Sequence, residues 1–307
     1  MKFFWPTVGE AVWRLVCREH TDLLPVLHAW LGSTGNDPAQ IERAGHAVTA
    51  MAVGTDGQTL ELLHQLVAVP RPQAIEVAAR CLSETAQQPA TAAMAEHLLQ
   101  QWSIASAAAL RRAVVYACRS ELPIEQALQL MHRVMGTLSN DADDVAVAAA
   151  VAEALVQRFA ASNCADRKTV LDRMRSWAGA EDVTGQLVAL TFPVMVGTDL
   201  TWFARSMLDS AATAATVVQL TGHALNESAA YGSMRDVLLA WLCGKAGAPG
   251  PPPALGVLLN GLVEARQPGF LRWLLAVDRG PEGMPGKERV AALLDEWRGK
   301  APTASTD

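Results

Sequence analysis

His28, His64 and His132 recur in one setting, LxxLH, LxxLH and LxxMH, and imidazole is the side chain whose charge changes near neutral pH. A ladder of such groups would loosen a helical stack on protonation. It would not hold a metal, because packed helices lie about 8–10 Å apart whereas nitrogen ligands stand about 2 Å from zinc. The expectation is neutral histidines at the edge of an apolar stripe, with a pH-sensitive ladder as the chemically richer alternative. Cys17 and His20, three apart, could offer two ligands from one helical face, but nothing nearby in the chain completes a tetrahedral set. Asp141, Asp143 and Asp144 could likewise gather a cation. They stand where a helix begins, however, and acids there serve the helix dipole, with Asp143 expected to cap. No metal site and no cofactor is expected.

The basic residues concentrate at Arg111 with Arg112, and at Arg167, Lys168, Arg173 and Arg175. Such groups can neutralise backbone phosphates, so Arg111, Arg112, Arg173 and Arg175 carry the nucleic-acid reading. Asp166, Asp172, Glu181 and Asp182 interleave or flank the second group, and a net charge of -6 argues against phosphate neutralisation as the main task. The sequence holds no glycine-rich phosphate loop, no HExxH and no GxSxG. No catalytic residue is assigned, and a non-enzymatic role is expected.

Two families of amphipathic helix would position these residues. The first shows apolar positions at i, i+3, i+4 and i+7: Ile41, Ala44, Gly45, Val48; Ile75, Ala78, Ala79, Leu82; Leu110, Ala113, Val114, Ala117; Val145, Ala148, Ala149, Ala152. The second alternates with it and carries the histidine slot: Leu60, Leu63, His64, Val67; Ala95, Leu98, Leu99, Trp102; Leu128, Met131, His132, Met135. The unit repeats at about 35 residues, with looser copies downstream. One such pair cannot bury its apolar face alone, so the pairs must stack.

Half of the 307 residues are apolar, enough for a sizeable core, and the nine tryptophans read as fillers between stacked pairs. Five cysteines without a CxxC pair suit a reducing cytoplasm. Met1 to Trp5 is too short for a signal-peptide core and Glu10 and Arg14 follow it, and no apolar run is long enough for a membrane span. The excess of Arg over Lys, with abundant Ala, Gly and Val, fits a GC-rich bacterial genome. Residues 1–245 form the expected repeat body, 246–253 a proline-stiffened linker or hinge, 254–300 a C-terminal helical cap and 301–307 a disordered tail. Within the body, Gly185 and Pro193 are expected to interrupt one helix, and Asn226 to Gly232 to form a longer loop.

The alternating pattern resembles the HEAT and armadillo-like α-helical repeat proteins over nearly the whole chain. That resemblance implies an all-α, right-handed α-solenoid of about eight stacked helical pairs plus a closing helix. It also implies an interaction or scaffold module whose second helices line one long surface for a protein or peptide partner. The polar positions flanking those stripes, Glu61, Gln65, Gln100, Gln101, Gln129 and Arg133, are the expected partner-binding residues. The segments VWRLVCREH, VLHAWL and EVAARCLSETA also resemble helical-repeat regions attached to bacterial signalling NTPases, which implies a sensor or regulatory arm of a signalling or defence assembly. A third expectation, a nucleic-acid-binding helical repeat similar to DNA glycosylases, rests on the arginines named above.

Overall fold

Local signals start several of the helices. Asp37 accepts a hydrogen bond from the Ala39 amide at 3.0 Å, and Pro38, which needs no amide partner there, opens α1 (Pro38–Ala52). Pro72 opens α3 (Pro72–Ala86) and Pro268 opens α13 (Pro268–Asp278) in the same way. Asn163 caps α8 (Cys164–Ala178) by accepting from the Asp166 amide at 3.0 Å. Ser210 caps α10 (Ala211–Asn226) through the Thr213 amide at 3.2 Å. At α7 (Ala142–Ala161) the cap is Asp141, which takes the Asp144 amide at 3.1 Å, and not Asp143.

The computed structural model describes residues 37–52, 57–69, 71–119, 121–139, 141–178, 183–198, 203, 210–243, 253–284 and 286–299. The described residues are all-α, with no strand among them. No helix among them is long and apolar enough to cross a membrane. The expected first pair, the hinge up to residue 252 and the tail 301–307 lie outside the described residues, as do His28, Cys17 and His20. The chain divides into two compact units, Met1–Ala161 and Ser162–Asp307.

In the first unit, α1 packs on α3, α3 on α5 (Ala108–Ala117), and α5 on α7. Beside this row run a 3-10 turn (Gln58–Leu62) leading into α2 (Leu63–Val67), then α4 (Ala92–Ser103) and α6 (Ile124–Met135). The predicted stripes of α1 and α3 form the core: Ile41, Ala44, Val48, Ala78 and Leu82 are fully buried. Gly45 is needed for the approach of α1 to α3, since a Cβ there would collide with Val77. In α7 the expected stripe is wrong. Val145 is 61 % exposed and Ala149 is exposed, while Val147, Val151, Ala154, Leu155 and Phe159 are buried. An alanine-rich helix is apolar all round, so its periodicity does not choose a face.

In the second unit α10 is central, packing on α8, α9 (Val183–Thr198), α11 (Ser228–Leu242), α12 (Pro253–Glu264) and α13. The last helix, α14 (Lys287–Gly299), packs on α12 and α13. Two expectations fail here. The α9 helix runs unbroken through Gly185 and Pro193, its surroundings overriding the local signal. The loop expected from Asn226 to Gly232 is the single residue Glu227 between α10 and α11. Aromatic rings fill the interior: Phe192 meets Phe203 edge-on at 5.8 Å, and Phe270 stacks on the fully buried Trp273 at 5.4 Å.

Candidate functional site

The residues expected to bind a partner divide by burial. Glu61, Gln100, Gln101, Gln129 and Arg133 are exposed on the 3-10 turn, α4 and α6, and Gln65 is half-buried. These elements adjoin, α4 touching both the 3-10 turn and α6, so the polar positions belong to one succession of second helices. The histidines lie farther out than a stripe edge: His64 and His132 are exposed, and the His64 ring bonds the Glu61 carbonyl of its own turn. Another histidine, His97, meets the Gln101 amide at 2.9 Å. Leu99, which replaces histidine in the third copy, is buried.

The first arginine pair divides: Arg111 is buried and Arg112 is half-buried. Arg111 is 5 % exposed and donates to Asp144 at 2.5 Å, to the Thr137 carbonyl and hydroxyl at 3.1 Å each, and to the Ser106 carbonyl at 3.4 Å. Asp144, 4 % exposed, also accepts from the Ser139 amide and hydroxyl at 2.7 Å each. The Ser139 bonds, then the Arg111 guanidinium, hold the Asp144 carboxyl below the usual carboxylate range, against the opposing effect of burial. Asp144 lies on the same buried face of α7 as Val147, Val151, Leu155 and Phe159. Arg112 donates to the Tyr116 hydroxyl at 3.0 Å, and Arg119 lies over the Tyr116 ring at 3.9 Å while pairing with Glu153 at 2.8 Å. The aspartate cluster is thus a cap and a buried counterion.

The two buried cysteines of this unit are poor nucleophiles. Burial pushes the Cys81 thiol up to about 11 and the Cys118 thiol up to about 12, so neither is a thiolate near neutral pH. Among the described residues no three His, Cys, Asp or Glu side chains gather as a metal-ligand set.

The second unit holds a cleft of about 480 Å³ that sequence reasoning missed. One wall is α8, with Asp172 and Arg175; the other is α10, with Gln219, His223 and Asn226. Gln267, just before α13, completes it. Positions 219, 223 and 226 follow helical spacing, so the fold of α10 alone puts them on one face. That polar stripe on an otherwise apolar helix was the signal available in the sequence. Two of its members are held in place: His223 Nε2 donates to the Gly185 carbonyl at 3.1 Å, since a carbonyl can only accept. The Asn226 amide donates to Gln267 Oε1 at 2.9 Å, and its oxygen accepts from the Gly269 amide at 2.7 Å. Ser176, also on the rim, is turned to the Arg173 carbonyl at 2.7 Å. Of the nucleic-acid arginines, only Arg175 opens into this cleft, beside a carboxylate. No protein-family model matches the chain, and no curated protein shows significant similarity to it.

Proposed function

We propose that the chain is a non-enzymatic interaction module: a HEAT-like, right-handed stack of about eight helical pairs that offers a protein or peptide partner the surface of its second helices. The observation that carries this reading is the exposure of Glu61, Gln100, Gln101, Gln129 and Arg133 on neighbouring second helices. These side chains keep hydrogen-bonding capacity free for an extended partner. The order of the first helices, α1 on α3 on α5 on α7, supports the stack. The nucleic-acid reading draws less support, because Arg111 is buried against Asp144.

The test is affinity capture from native lysate with the full chain as bait, at low and high salt. Two variants accompany it: Gln100→Arg with Gln129→Arg and Arg133→Glu on the second helices, and Glu76→Lys with Glu84→Lys on α3. A stoichiometric protein lost from the first variant and kept by the second supports the proposal. A protein indifferent to the first variant overturns it, as does salt-labile nucleic acid without any protein.

A further inference from the structure

The cleft between α8 and α10 contains an unused pair of opposite charges. Asp172 and Arg175 are three apart on α8, a spacing at which an acid and a base can meet. Both are exposed, neither has a hydrogen-bond or ion-pair partner among the described residues, and they do not pair with each other. Elsewhere in the second unit, Arg235 pairs with Asp236 at 2.7 Å and Arg298 with Asp295 at 3.1 Å.

The opposite wall is polar and oriented. With Nε2 of His223 donating to the Gly185 carbonyl, the neutral ring leaves its Nδ1 lone pair free as an acceptor. Gln267 gives its Oε1 to Asn226, so both N–H bonds of its Nε2 remain available as donors. Gly222 sets the position of this amide: a Cβ there would stand 2.7 Å from the Gln267 amide carbon, and glycine admits the side chain against α10. Gln219 adds a second amide with no internal partner. A volume of about 480 Å³ falls within the range of about 300–1,000 Å³ that small-molecule sites occupy.

A guanidinium and a carboxylate three residues apart on one helix, facing amide donors and one imidazole acceptor, match a molecule carrying both an anion and a cation. We propose that this cleft binds a small zwitterion, an amino acid or dipeptide. Arg175 and the Gln267 amide take its carboxylate, and Asp172 and His223 Nδ1 take its ammonium. The cleft lies in the second unit, whereas the residues that carry the partner reading above lie in the first.

Calorimetric titration of the full chain with the individual L-amino acids and glycylglycine tests this. For each ligand that binds, the N-acetyl derivative and the C-terminal amide are titrated too. At least one zwitterion is expected to bind at millimolar concentration or below, and Arg175→Gln or Asp172→Asn each to weaken it by about tenfold. Removing either charge from the ligand should do the same. Gly222→Ala, which displaces the Gln267 amide, should weaken binding without touching either charge. Both charge variants change exposed, unpartnered side chains, so their ligand-free melting temperature should match the parent and separate loss of binding from loss of fold. Absence of binding by every zwitterion overturns the assignment. So does binding that survives both charge variants, or binding of the acetylated or amidated forms as tight as the parent's.

Discussion

The two units solve the same problem, joining helices far apart in sequence, with different chemistry. In the first, charged groups cross between neighbouring helices: Arg80 with Glu42, Arg111 with Asp144, Arg119 with Glu153. Arg158 adds a bond to the Leu122 carbonyl at 2.5 Å. In the second, amides, backbone carbonyls and rings do this work. Asn226 bridges to Gln267 and Gly269, Arg272 donates to the Leu225 carbonyl at 2.7 Å, and Arg266 to the Trp297 carbonyl at 2.6 Å. The lesson is one of register. Paired charges at a spacing near the repeat length fix how one first helix slides on the next, whereas rings and carbonyls tolerate the irregular packing around α10.

Four experiments would break or sharpen this contrast. The largest effect should come from Trp273→Ala, which empties a fully buried site beside Phe270 and is expected to destabilise the second unit by about 3–5 kcal/mol. Hydrogen exchange should show faster exchange over α12 to α14 with the first unit unchanged. Next, Arg111→Ala leaves the Asp144 carboxylate buried without its counterion, a loss of about 3 kcal/mol by denaturant unfolding. Replacing both partners, Arg111→Met with Asp144→Leu, removes the unpaired charge and should restore part of it; a double variant as unstable as the single would show that the lost bonds to Ser139, Thr137 and Ser106 matter as much as the ion pair.

The third test is acid. The Asp144 carboxyl is held below its ordinary range, so its contribution is fully present above the unfolded value of about 3.9 and is lost as pH falls through the lower folded value. The first unit should therefore lose exchange protection at low pH, and Asp144→Asn should flatten that part of the profile. The smallest effect is expected from Arg80→Ala. Its link to Glu42 is solvent-exposed, so its loss should be below about 1 kcal/mol and should vanish in high salt.

What was legible in the sequence was local. Asp37 with Pro38, Pro72 at the head of α3 and the stripes of α1 and α3 act within one helix, where spacing and capping chemistry decide the outcome. Partner choice was not legible. Nothing near Arg111 says that its counterion lies on α7, and without that knowledge the alanines of α7 could be buried on any side. Pro193 misled because tertiary packing can hold a helix together across one missing hydrogen bond. Of the cleft, Asp172 and Arg175 could be placed on one helix from their numbers alone. Their proximity to His223 and Gln267 depends on how α8, α10 and α13 pack.

Time adds a consequence to the Arg111 network. Its aspartate is made 33 residues later, and Arg158, which fastens α7 to the Leu122 carbonyl, comes later still. At a synthesis rate of about 5–20 residues per second, the first unit waits on the order of seconds with a cation that has no counterion. A nascent chain stalled before Asp144 can pack α5 on α3 but cannot neutralise Arg111. The ion pair that joins α5 to α7 is complete only with the last helix of this half.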